Sequence, residues 1–87
     1  MFKGEKLIYI KHERNKGVSK KSGNEYDIAN ITLSNGLVSF KIDIKPFITE
    51  TPELQNLRMG DKVNVVVDVE ERFNNDVFFV SDVKKVV

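Results

Sequence analysis

The sequence has no cysteine and no tryptophan, only one histidine and only two prolines. Without thiols, neither a disulfide framework nor a thiolate metal site is possible. The lone histidine, His12, sits among Lys11, Glu13 and Arg14. That setting suits a solvated or phosphate-facing side chain better than a general base. Carboxylates are plentiful but scattered. Asp68, Glu70 and Glu71 fall close together, yet strand alternation puts Glu71 on the opposite face from the other two. No second ligand type stands beside them to argue for a metal, and no glycine motif with its lysine is present to cradle a phosphate. Nothing in the residue pattern activates a nucleophile or a base, so no enzyme activity, metal or cofactor is expected. No run approaches the roughly 18 apolar residues of a membrane helix. Met1 to Lys6 carries two lysines and no apolar stretch, so neither a signal peptide nor a membrane partner is expected.

The 87 residues fit one domain, 1–87. A chain this short buries only about 60% of the surface it exposes when unfolded, so its core is thin and help from a second copy is unsurprising. The formal charge is +1, unevenly spread. Met1 to Lys21 holds seven bases against two acids, a net +5, and the remaining seven bases and eleven acids net −4. A basic N-terminal quarter in a near-neutral chain points to a polyanionic partner.

Apolar residues recur with period two almost throughout, the signature of strands. Lys6 to Arg14 begins as a strand, and the segment from Asn15 to Asn24 reads as a loop or hairpin tip. Glu25 to Leu33 resumes as a strand, with Tyr26, Ile28, Asn30 and Thr32 on one face. Asn35-Gly36 between two β runs predicts a type I′ hairpin turn. Leu37 to Lys45 then alternates, with Val38, Phe40, Ile42 and Ile44 on one side. Pro46 ends that strand. Thr51-Pro52-Glu53 has the residues of a helix start: N-cap, first-turn proline, first-turn acid. Leu54 and Leu57 are placed to cover a barrel end, and Gly60 stops the helix. Val63 to Arg72 and Val77 to Val87 are the last strands, separated by a turn at Phe73-Asn74-Asn75-Asp76. The expected fold is all-β: a five-stranded antiparallel OB-like barrel with one short helix between the third and fourth strands.

The segment from Lys11 to Tyr26 carries the most chemistry. Lys11, Arg14, Lys16, Lys20 and Lys21 supply charge for phosphates, the source of most sequence-independent nucleic-acid affinity. Ser19 and Ser22 add phosphate hydrogen bonds. Tyr26 follows on the strand, either packed inward or offering a base a surface to stack on, worth roughly 1–3 kcal/mol per base. Phe73 lies in a turn that a barrel core hardly reaches, so a base or a partner is expected against it. Tyr9 and Phe40 fall on apolar strand faces and are expected in the core, with Phe2 and Phe47 as packing residues. Phe78 and Phe79 point to opposite faces, so one lies outside the core. Lys41 and Lys45 extend the basic track along the polar face of the third strand, with Asp43 between them.

The stretch from Asn15 to Tyr26 resembles the DNA-binding hairpin of small phage single-stranded DNA-binding proteins of the filamentous-phage gene V type. There a base, Gly-Val-Ser and another base lead through a glycine to a tyrosine. Here these positions are Lys16 or Arg14, Gly17-Val18-Ser19-Lys20, Gly23 and Tyr26. Phe73 falls where that family places a base-contacting aromatic. The resemblance implies an OB-like barrel, a homodimer, and cooperative coating of single-stranded DNA in replication or recombination. With no signal peptide, membrane run or cysteine, the expected location is the cytoplasm, a host's cytoplasm for a phage-encoded chain. The second strand has no tyrosine after Tyr26, and the C-terminal half is acidic, both unlike that family. The nucleic-acid-binding residues expected are Arg14, Lys16, Ser19, Lys20, Lys21, Tyr26, Lys41 and Phe73. Two other readings fit the same residues. An RNA-binding OB domain uses the same stacking and phosphate contacts. A protein-interaction subunit would dock through Phe73 and Phe78 or Phe79.

Overall fold

The computed structural model describes residues 2–86. Strands β1 (Phe2–Val18), β2 (Glu25–Ser34), β3 (Ser39–Ile44), β4 (Lys62–Arg72) and β5 (Asn75–Lys85) close into a barrel in the order β1-β2-β3-β5-β4. A 3-10 turn, Pro46–Glu50, and a short helix, α1 (Pro52–Gln55), join β3 to β4. Strand count, closure and helix placement are those expected of an OB-like barrel. The sheet is not antiparallel throughout: β3 and β5 run parallel where Asp43 meets Phe79 and Ile44 meets Val80. A ring of five strands cannot reverse direction at every neighbour, so one seam has to be parallel.

β1 makes the closure possible. Its first half pairs with β4, from Phe2 opposite Val67 to Ile8 opposite Lys62. Its second half pairs with β2, from Ile8 opposite Ser34 to Val18 opposite Glu25. Register shifts between Gly4 and Leu7 and between Tyr9 and Lys11 bend it from one partner to the other. At the first bend Lys6 takes a positive φ of 54°, and its N–H donates to Asn64 Oδ1 at 2.9 Å.

Alternation then decides the core. Ile31, Leu33, Val63 and Val80 are wholly buried, and Ile44 and Val65 nearly so. Each such side chain contributes about 1.5–3 kcal/mol by leaving water. The β3–β4 connection plugs the barrel with Ile48 and Leu54. Thr51, Pro52 and Glu53 take the N-cap and first-turn places expected of them, with Thr51 Oγ1 accepting from the Leu54 N–H at 3.5 Å. The 3-10 turn ahead of α1 has no counterpart in the sequence expectations. Pro46 stands at its first position, so the proline that ends β3 also starts the next element.

Several boundaries move. Asn15–Val18 pairs with Glu25–Ile28, so the expected ten-residue loop shrinks to a turn over residues 19–24. Asn35-Gly36 is not a two-residue type I′ turn. Only Gly36 has positive φ, 96°, and Asn35 Oδ1 accepts from the N–H groups of Leu37 and Val38 at 2.9 and 3.0 Å. The side chain thus builds a wider loop, and β3 starts at Ser39. β5 begins at Asn75, earlier than expected; the Val87 end of the expected strand lies outside the described residues.

Three phenylalanines expected to pack are exposed. Phe2, Phe40 and Phe47 all lie in the open. Phe2 and Phe40 join Leu7, Ile42, Val67 and Phe78 around an apolar mouth that α1 does not cover, with the Phe2 and Phe78 rings 6.1 Å apart. Tyr9 is buried as expected. Its hydroxyl shares a 2.6 Å hydrogen bond with His12 Nδ1, so His12 is a partner of the core edge and not a freely solvated group. No described helix is long and apolar enough to cross a membrane.

Candidate nucleic-acid interface

Because Ala29, Ile31 and Leu33 are the buried residues of β2, Tyr26, Ile28, Asn30 and Thr32 face outward. This excludes the packed position for Tyr26: its ring is in solvent contact, 44% exposed, and Ile28 beside it is 58% exposed. Strand register extends this outer face sideways. Lys11, Thr32 and Lys41 form one row across β1, β2 and β3, and Glu13, Asn30 and Asp43 form the next. Lys11 Nζ reaches Glu13 at 2.9 Å. That hydrogen bond, with the charges of Lys11 and Lys41, holds the Glu13 carboxyl below the usual carboxylate range.

Beyond the barrel, β1 and β2 continue as a two-stranded wing. Its turn closes with the Ser19 N–H donating to the Asn24 carbonyl and the Gly23 N–H to the Ser19 carbonyl, both at 2.8 Å. Gly23 takes φ 70° there, which glycine adopts without steric cost. Lys20 and Lys21 stand on this tip, with Ser19 at its base. On the wing's outer face Tyr26 lies opposite Gly17, and its ring covers the place a side chain would fill.

Arg14 is used differently from the other expected phosphate contacts. Its Nε and one terminal nitrogen donate to the two oxygens of Asp27 at 3.0 and 2.7 Å, and the other terminal nitrogen donates to Glu50 at 2.7 Å. Both partners hold the guanidinium charged, and Asp27 in return titrates below its ordinary range because Arg14 donates to it. Arg14 is therefore a brace joining β1, β2 and the 3-10 turn at the root of the wing. Lys16, Lys20, Lys21 and Lys41 take part in no salt bridge among the described residues. Lys16 pairs with Asp27 in the ladder, so it lies on the wing face opposite Tyr26 and supplies charge without touching that ring.

The second hairpin bounds the face on its far side. Phe79 meets Asp43 across the parallel seam, and Lys45 Nζ stands 4.2 Å from the Phe79 ring centroid, a cation–π contact. Lys45 and Arg72 both reach the carboxylate of Glu70, at 3.6 and 3.1 Å. Between the hairpins runs a cleft lined by Ile28, Asn30, Asp43, Lys45, Arg72 and Phe79. At the hairpin tip, Phe73 and Asn74 have φ 51° and 64° between the paired residues Arg72 and Asn75. This is a two-residue turn with both central residues in the left-handed region, as in type I′. Phe73 is 94% exposed there.

No family model, curated protein or solved structure matches this chain. Geometry alone therefore carries the functional reading. Of the expected contact residues, Tyr26 and Lys41 share the outer face, Lys16, Ser19, Lys20 and Lys21 arm the wing, and Phe73 tips the other hairpin. Ile28 was not among those expected, whereas Arg72 beside Phe73 and the outward one of Phe78 and Phe79 were candidates for such a groove. The unbroken apolar series Ala29, Ile31, Leu33 was the signal that puts Ile28 outside.

Proposed function

We propose that this protein binds single-stranded DNA with little sequence preference and coats single strands in replication or recombination. The observation that carries the reading is the exposed surface of Tyr26 and Ile28 on the outer β2–β3 face, with the half-buried Phe79 ring of β5 across the cleft beneath Lys45. This is the surface, with the loops joining strands 1–2 and 4–5, through which OB-folds take oligonucleotides. Aromatic and apolar platforms accept any base, because every base has a π-face. Lys16, Lys20 and Lys21 on the wing, and Lys41 on the sheet, lie free to neutralise phosphates. Duplex DNA presents no open bases to these platforms, so it is a poorer ligand.

We also propose that the protein acts as a homodimer. Phe2, Phe40 and Phe78 surround an uncovered apolar mouth, and apolar patches of this kind mark interfaces.

Fluorescence anisotropy with labelled oligo-dT, oligo-rU and duplex DNA tests the main reading. Salt-sensitive binding that favours oligo-dT supports it. Stronger binding to oligo-rU moves the function to RNA. Binding to none of the three at low salt refutes it and leaves a protein-interaction module docking through Phe73 and Phe78.

A further inference from the structure

Lys45 and Arg72 are the two cations that line the cleft, and both are already engaged. A single oxygen of Glu70, Oε2, receives Arg72 at 3.1 Å and Lys45 at 3.6 Å. Glu70 and Arg72 stand two apart on β4, opposite Val77 and Asn75, so they share a face. Lys45 arrives from the end of β3, and its ammonium also sits over Phe79. The carboxylate thus occupies the point where two basic side chains from different strands converge beside an aromatic ring. A backbone phosphate running along the cleft beside Phe79 would meet the same two cations. All three side chains are between 36% and 54% exposed, and ion pairs this open to water are weak and readily exchanged.

We propose that Glu70 is a built-in competitor for the nucleic-acid backbone: a phosphate gains Lys45 and Arg72 only by displacing the Glu70 carboxylate from between them. The proposal rests on the nucleic-acid reading of this face. A phosphodiester carries one negative charge and has two free oxygens, so it replaces the carboxylate on the same two cations, and Glu70 turns to water. The exchange returns little net energy in the native protein. Two of the site's cations therefore add less affinity than their position suggests, and binding stays releasable. The wing lysines, with no salt-bridge partner among the described residues, bear the larger share of the electrostatic attraction.

Glu71 is the internal control. It is the adjacent residue, has the same charge, is exposed, and faces the other side of β4 opposite Asp76. The test is oligo-dT anisotropy at several salt concentrations with the full chain, Glu70→Gln, Glu71→Gln, Lys45→Ala and the Glu70→Gln/Lys45→Ala pair. The proposal expects Glu70→Gln to tighten binding roughly two- to fivefold at low salt. It expects Glu71→Gln to change binding by less than about twofold, the general effect of one screened charge on the opposite face of the strand. It also expects Lys45→Ala to weaken binding more in the Glu70→Gln background than in the native one, a coupling that a double-mutant cycle reads directly. If Glu70→Gln weakens binding, Glu70 positions the two cations and does not compete. If it matches Glu71→Gln, the effect is net charge alone. Either result overturns the proposal while leaving the functional reading intact, whereas failure of the native protein to bind oligo-dT overturns both.

Discussion

Tyr26 lies across Gly17: a Cβ on Gly17 would meet the tyrosine hydroxyl at 2.6 Å and its Cζ at 2.8 Å. The two residues face each other across the wing, and the missing side chain leaves room for the ring to lie over the neighbouring strand. A ring held this way presents a face to a base and loses little freedom when the base arrives. Gly17→Ala is expected to push the ring off its seat, with little change in stability because the ring's free end swings outward. Binding of oligo-dT should weaken, by less than the roughly 5- to 150-fold that deleting one stacking platform costs. In a Tyr26→Ala background the same substitution should do nothing further. Anisotropy on the two single variants and the double variant checks this.

Arg14 is predicted to act on wing orientation and not as a phosphate contact. Its removal should weaken oligo-dT binding without changing the slope of affinity against salt. Lys20→Ala or Lys21→Ala should lower that slope by about 0.7 each if each lysine neutralises one phosphate of a single strand. Stability adds an independent readout. The Asp27 carboxyl is held below its ordinary range by Arg14, so its contribution is fully present above the unfolded carboxylate pKa of about 3.9. It is lost as pH falls through the lowered folded value. Thermal midpoints of native protein and Arg14→Ala should therefore differ at neutral pH and converge on acidification below about pH 4.

Phe73 sits at φ 51°, a conformation that costs an L-residue with a bulky side chain on the order of 1 kcal/mol. Asparagine tolerates it better. Phe73→Asn is expected to raise the thermal midpoint while weakening single-strand binding, the opposite signs that mark a residue kept for function at the expense of stability. A variant that gains stability and binds unchanged would remove Phe73 from the interface.

If the apolar mouth pairs two copies, Phe78→Ser should shift the protein from dimer to monomer in analytical ultracentrifugation. A native protein that is monomeric at high concentration contradicts the dimer.

The barrel was legible in the sequence because period-two alternation runs through most of each strand, broken only at register shifts such as those in β1. The helical plug was legible because Thr51, Pro52 and Glu53 each suit a helix start for a different physical reason. The basic hairpin and Tyr26 were legible as composition. What Arg14 does was not, because its two partners come from positions 27 and 50, and contacts so distant in sequence leave no local pattern. Phe79 and Lys45 meet only through the parallel seam between β3 and β5, which no hairpin rule connects. Asn35-Gly36 misled because the asparagine side chain, and not its backbone, builds the turn. Phe40 misled because an apolar strand face predicts burial only where something covers the barrel's end.

The most direct test of the central claim is an NMR titration of the backbone amides with oligo-dT. The interface described here predicts the largest shifts at Tyr26, Ile28, Lys41, Lys45 and Phe79, with further shifts at the wing tip and at Phe73. Shifts confined to the mouth around Phe2, Phe40 and Phe78, or no shifts at saturating oligonucleotide, would contradict it.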